Sequence, residues 1–377
     1  MAAIFSKGKL KFWIGLVVSL LFLFLAFKDQ KFDQIWTALV EADYRWLIPA
    51  LAIYFAGVYV RAERWHYLLR PLQKIPTRRL FPVVVIGYMA NDILPVRMGE
   101  VVRSYVLEQR EGTTKTGALA TIVVERIMDG LTMILFLAVA SFFHPINKEI
   151  EGVERLGSLI FIGLIIAFLA MASSRPLMKK LEIFGLNLLP APIRAKLSGV
   201  ADAFIDGLQV LRQWRDLLAV FLLSIVAWGC EAAMYWFIAL SFPQLNLGWE
   251  AILMTVAAAN LFTLIPSSPG GVGPFEFGAK SVLVGVFTTS TNLASTNLAS
   301  SYVILVHAAL LFPITFWGIY YWIHENFSLS QAEHEREVLL EAKHTPVPAI
   351  NPLLPPNEVG ADELESVDEP ETSIRRK

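Results

Sequence analysis

The sequence predicts an all-α polytopic membrane protein, with about six full spans and two re-entrant helical hairpins arranged as an inverted repeat. Three observations predict it. Of 377 residues, 55% are hydrophobic and 17% charged, and the mean hydropathy of +0.54 is far from that of a soluble chain. Six apolar stretches approach the roughly 20 residues needed to cross about 30 Å of hydrocarbon. Two further stretches are too short to cross, and each stops at a proline.

The six expected spans lie near residues 11–27, 46–67, 116–143, 157–174, 217–240 and 300–323. The first follows Lys7, Lys9 and Lys11 like the start of a signal peptide, but no small-residue cleavage site comes after it, so it reads as an uncleaved span. Arg61, Arg64, Arg70, Lys74, Arg78 and Arg79 cluster after the second span, and seven Lys or Arg fall between Arg175 and Arg215 after the fourth. By the positive-inside rule both loops are cytoplasmic, which puts both termini in the cytoplasm and the protein in the cytoplasmic membrane. On this view Arg61 and Arg64 snorkel to the interface. Amphipathic spacing predicts surface helices at Phe32, Ile35, Trp36, Leu39 and Val40, and again from Ile193 to Leu211.

The short stretches carry the chemistry. Leu80 to Leu94 is about 22 Å long as a helix and ends at Pro95, and the charged segment Arg97 to Arg110 that follows cannot face lipid. The pair reads as a re-entrant hairpin. Ala251 to Ile265 breaks likewise at PSSPGGVGP and resumes at Phe275; Pro266, Pro269 and Pro274 lack amide donors, while Gly270, Gly271 and Gly273 tolerate positive φ. Amides left free in such a loop suit an anion, with Ser267 and Ser268 beside them.

Each break also has the same order: a Glu, then an Asn 28 or 29 residues on, then Pro, Gly and Glu. Glu63, Asn91 and Glu100 make the first set and Glu231, Asn260 and Glu276 the second. With the orientations above, the copies enter from opposite sides, which is the pattern of broken-helix transporters. Repeat 1 covers about 46–111 and repeat 2 about 217–288 of a membrane domain ending near residue 324.

The third span holds Glu125, Arg126 and Asp129, which face the protein interior because charge in lipid is costly. Together with Glu63, Glu100, Glu231 and Glu276 they form a charge network or carry coupling protons. Arg97 is the favoured headgroup ligand and Arg103 the second, because a guanidinium fork matches phosphate oxygens. The expected substrate-binding set is therefore Asn91, Arg97, Arg103, Asn260, Ser267, Ser268, Gly270, Gly271 and Gly273. His307, alone in an apolar run, reads as a packed interior histidine. The TNLAS copies at Thr291 to Ser300 read as a loop duplication.

One cysteine, Cys230, precludes an intramolecular disulfide. The sequence has no Walker A loop, H-E-x-x-H, G-x-S-x-G or Cys/His metal spacing, so no cofactor, metal or catalytic residue is expected. Nucleic acid is not an expected partner. From Glu325 the chain carries 12 acidic and 5 basic residues with six prolines, against 21 and 27 in the preceding portion, and is expected to be a disordered acidic tail.

YMANDILPVRMGEVVRSYVL (Tyr88 to Leu107), ALATIVVERIMDG (Ala118 to Gly130) and PSSPGGVGPFE (Pro266 to Glu276) together resemble the membrane region of the lysylphosphatidylglycerol synthase and flippase-like family. The resemblance runs from the first span to about His324. It implies lipid handling: in bifunctional members a flippase-like region precedes a soluble aminoacyl-transferase domain, for which the tail of about 53 residues is too short. The expected activity is translocation of an anionic lipid or lipid-linked headgroup. An intramembrane transferase or phosphatase acting through Glu100, Glu125 or Asp129, or an accessory subunit for envelope-biogenesis enzymes, are the alternatives. Oligomeric state is not legible.

Overall fold

A computed structural model describes residues 2–28, 30–94, 98–143, 151–172, 214–287 and 293–324. Among these the secondary structure is entirely helical. The favoured residue Arg97, the surface helix expected at Ile193 to Leu211 and the acidic tail lie outside the described residues.

Eleven α-helices succeed one another here: α1 Ala2–Phe27, α2 Phe32–Val40, α3 Leu47–Leu69, α4 Thr77–Ile93, α5 Gly99–Glu111, α6 Lys115–Phe143, α7 Glu151–Ala172, α8 Trp214–Ala239, α9 Trp249–Phe262, α10 Pro274–Val282 and α11 Leu293–His324. Each of the six expected spans matches, to within two residues, part of a helix of 22 to 32 residues. By length and composition alone, Arg215–Ala239 and Thr296–His324 are apolar enough to cross a membrane. The TNLAS copies are not a loop, since from Leu293 onward they form the first turns of α11. There Asn297 and Ser301 bond Gln34 and Ile35 of α2.

Local chemistry explains both breaks. α4 stops where Leu94 turns extended (φ −91°, ψ 141°), as the residue before Pro95 is pushed to do. α5 runs back along α4: Gly99 lies against Gly87 and Asn91 at one end, and Arg79 and Gln73 bond Glu111 at the other. Leu72 meets Gly117, so the hairpin begins and ends beside the junction of α3 with α6. Gly112, left-handed at φ 69°, closes α5. In the second break, Pro269 opens a 3₁₀ turn, and Gly270, Gly271 and Gly273 adopt φ of 72°, 73° and 101°. Gly273 caps α10, with Pro274 at its first position and the Glu276 carboxylate accepting the Gly273 amide.

α3 and α8 make the most extensive helix contact, and they cross antiparallel. Asp43, just before α3, donates its amide to Ser241, just after α8 (2.9 Å). Gly57 lies against Ala227 and Cys230, and Arg64 reaches Ser224. Around this pair α4 packs on α11 while α6 packs on α9, and each hairpin packs on the long helix that follows it.

Candidate functional site

Ionic side chains gather where α3, α5, α6 and α8 meet. Arg64, fully buried, donates to Asp129 Oδ1 (2.5 Å) and Ser224 Oγ (2.7 Å) and lies 3.2 Å from Glu125 Oε1. Arg103 forms a two-pronged pair with Glu125 (2.8 and 3.0 Å), its guanidinium 3.8 Å above the Trp65 ring. Arg126 reaches Glu125 (3.0 Å) and Asp129 (3.6 Å), and Trp228 Nε1 donates to Asp129 (2.8 Å). Glu125 thus faces three arginines and Asp129 two of them, with Glu100 beside Arg126. Arg64 and Arg103 are buried, whereas the Arg126 side chain is 40% exposed. That difference matters, because a buried guanidinium held by carboxylates is structural and only an accessible one can meet a ligand.

A second buried pair joins α3 to α8: Arg61 donates to Glu231 (2.6 Å), with Trp228 stacked 4.6 Å from its guanidinium. Asn260 of α9 donates to the other Glu231 oxygen (3.3 Å). Arg61 and Arg64 therefore do not snorkel; they are 3% and 0% exposed. The signal for this was present in the spacing of Gly57, Arg61, Arg64 and Leu68, one helix face whose glycine invites a close neighbour.

The remaining expected residues divide among several places. Asn91 accepts the Gly99 amide (2.7 Å), joining the two arms of the first hairpin. Asn91, Glu100, Arg103 and Arg126 line one cleft with Gly87 and Tyr88, of free volume about 10 Å³, close to what a single water needs. Glu63 lies apart from this cluster and accepts from the Thr77 hydroxyl at the start of α4.

The proline-glycine tip is packed against α1 and α11. Its Ser268 amide donates to Ser19 Oγ (2.8 Å), Gly271 to the Ser268 carbonyl (3.1 Å) and Gly273 to Glu276 Oε2 (2.7 Å). These amides face protein acceptors rather than an open anion site. Ser267 lies over Gly15, whose missing side chain makes room for it. Gly270 approaches Asp92 at the end of α4, and Thr315 of α11 donates to Asp92 (2.8 Å), so the two hairpin ends do meet. His307 sits between Glu276 (2.5 Å) and the Gly270 carbonyl (3.0 Å), a role its isolation in an apolar run concealed. No cluster of metal-ligating side chains occurs among the described residues.

This ordered set of charged and broken helices coincides with a family match over residues 12–318, described as the lysylphosphatidylglycerol synthase TM region. The chain belongs to that family. It is accordingly a membrane protein, and the exposed Leu, Phe, Ile and Trp on α1, α7, α8 and α11 have lipid as their solvent. A UPF0104 membrane protein of Methanocaldococcus jannaschii is 26% identical over 257 residues, covering 65% of this chain and 98% of the relative. Another from the same organism is 24% identical over 292 residues, covering 74% and 85%. The glycosyltransferase AglD of Haloferax volcanii is 24% identical over 361 residues, 88% of this chain and 57% of that protein.

Proposed function

We propose that the protein translocates an anionic lipid or lipid-linked headgroup across the cytoplasmic membrane, with Arg126 meeting the headgroup in the cleft between α4, α5 and α6. The observation that carries this reading is that Arg126, of the three arginines paired with Glu125, alone keeps an exposed side chain at the cleft, whereas Arg64 and Arg103 are buried. Family membership supports a role with membrane lipid. Arg97, one residue before Met98, is assigned to the same headgroup. The closed cleft is then one state of a cycle, and its enlargement admits the headgroup. Drive comes from an ion gradient or from downhill lipid flow.

An inverted repeat of re-entrant hairpins supplies the moving parts. What supports it is the antiparallel α3 and α8 pair, with α4 on α11 matched by α6 on α9. Six long helices span the membrane, both termini are cytoplasmic, and each hairpin enters from its own side.

Reconstitution in liposomes with labelled anionic lipids tests the proposal. The wild type exchanges at least one of them between leaflets, and Arg97→Ala and Arg126→Gln are slower by about tenfold, the loss of one charge-assisted contact of roughly 1.5 kcal/mol. Equal rates for the wild type, both variants and empty liposomes across several anionic lipids refute it. The similarity to a glycosyltransferase favours a second reading, an intramembrane transferase on a lipid-linked substrate. That reading requires a new lipid product from the purified protein, which translocation does not form.

A further inference from the structure

His307 on α11 and Glu276 on α10 form a buried pair with an unusual demand for hydrogen. The imidazole stacks on Phe275 (centroids 4.0 Å apart, planes at 20°), which fixes its plane. Nδ1 lies 2.5 Å from Glu276 Oε1, and Nε2 lies 3.0 Å from the Gly270 carbonyl oxygen at the hairpin tip. Glu276 Oε2 is engaged by the Gly273 amide at 2.7 Å.

A neutral imidazole has one N–H and one lone pair, whereas a carbonyl oxygen and an ionised carboxylate only accept. Both ring contacts are hydrogen bonds only if the pair holds one proton more than ionised Glu276 and neutral His307. Either the imidazolium donates from both nitrogens, or the Glu276 carboxylic acid donates to Nδ1 while Nε2–H donates to Gly270. Removing that proton leaves one N–H for two acceptors and sets a lone pair against a lone pair at the other. The capping bond from Gly273 and the ring stack persist, so the contact to yield is the one between His307 and Gly270.

Apart from the buried Tyr235 hydroxyl of α8, the groups around the pair have partners of their own. Asp92 of α4 is bonded by Thr315, Glu231 of α8 by Arg61, and Lys280, one turn along α10, donates to the Ala26 carbonyl of α1. Tyr302 of α11 donates to the Tyr235 carbonyl of α8. α9 brings Asn260 and Thr263, which do not titrate. Glu276 also lines a cavity of about 590 Å³ between α1, α2 and α11, walled by Phe24, Phe27, Phe32 and Ile304 with Lys28 beside them. This cavity connects the pair to its surroundings.

We propose that Glu276 and His307 form a one-proton site that clasps the second hairpin tip to α11 when loaded and frees it when empty. The proton leaves to and returns from water at the Lys28 and Gln30 end of the cavity beside Glu276. Resting on the translocation reading, this makes the proton the coupling ion.

Two measurements on the full-length protein test this. Infrared difference spectra between acid and alkaline pH, spanning the histidine range of about 5 to 8, follow the site without any transport. The wild type shows one linked carboxyl and imidazole transition. Glu276→Gln lacks it, because the amide of Gln donates permanently to Nδ1 and mimics the loaded state with the fold kept; His307→Gln lacks it too. In liposomes an imposed pH gradient changes wild-type leaflet exchange by at least about fivefold, while Glu276→Gln ignores the gradient. Identical spectra for wild type and Glu276→Gln overturn the proton site, whatever the transport result. A transition in the spectra with exchange blind to the gradient overturns the coupling alone. A transition with no exchange of any lipid overturns the coupling together with the translocation reading, and upholds the clasp.

Discussion

Substituting Arg61 tests whether the buried ion pairs hold the two halves of the protein together. Arg61 and Glu231 are 3% and 7% exposed and meet at 2.6 Å, so Arg61→Met strands a buried carboxylate. Breaking such a pair costs about 3–5 kcal/mol. Losing the guanidinium stacked 4.6 Å from Trp228 adds to this, while the Asn260 amide still serving Glu231 lowers it. The expected loss is about 3 kcal/mol, roughly a hundredfold in the ratio of folded to unfolded protein. Glu231→Leu strands the arginine and costs a similar amount. The double variant removes both charges, and because an apolar pair of similar volume is tolerated, it costs about 2 kcal/mol less than the sum of the singles. Reversible denaturation in mixed micelles measures all four corners of the cycle. Single losses below about 1 kcal/mol, or additivity within about 0.5 kcal/mol, refute the claim that this pair couples α3 to α8.

Three further outcomes follow from the packing. A Cβ at Gly99 would lie 2.1 Å from the Gly87 carbonyl oxygen, so Gly99→Ala forces the first hairpin apart, costs about 1–3 kcal/mol and speeds amide exchange in α5. Gly130→Ala, with nothing within 4 Å of the new methyl, instead stabilises α6 by about 0.5–1 kcal/mol in the same mixed-micelle denaturation. Ser19→Ala removes the acceptor of the Ser268 amide and the partner of its hydroxyl, costing about 1–3 kcal/mol and raising proteolysis at the second tip.

Much of the architecture was legible because its signals are local. Apolar runs delimited the long helices, and Pro95, Pro266, Pro269 and the glycines located both breaks, since proline and glycine act on their own backbone whatever surrounds them. What stayed hidden depends on distant partners. The tip amides looked bare, yet Ser268 is met by Ser19, 249 residues away. Arg61 and Arg64 looked interfacial from their place in the window, but the hairpin formed by α4 and α5, with α6 and α8, covers that end of α3. His307 looked inert because Glu276 and Gly270 reach it only after the second hairpin folds back. The cluster of Glu125, Arg126 and Asp129 was legible as interior charge, whereas which arginine of the cleft stays accessible required the burial of Arg103 and the exposure of Arg126.

Selectivity of leaflet exchange tests the central claim most directly. In liposomes carrying labelled anionic and zwitterionic lipids of equal chain length, the wild type moves the anionic probe faster, and Arg126→Gln removes that preference while its unfolding midpoint stays within about 0.5 kcal/mol of wild type, as expected for a partly exposed charge. Equal movement of both probes by the wild type, or an undiminished preference in Arg126→Gln, contradicts the account.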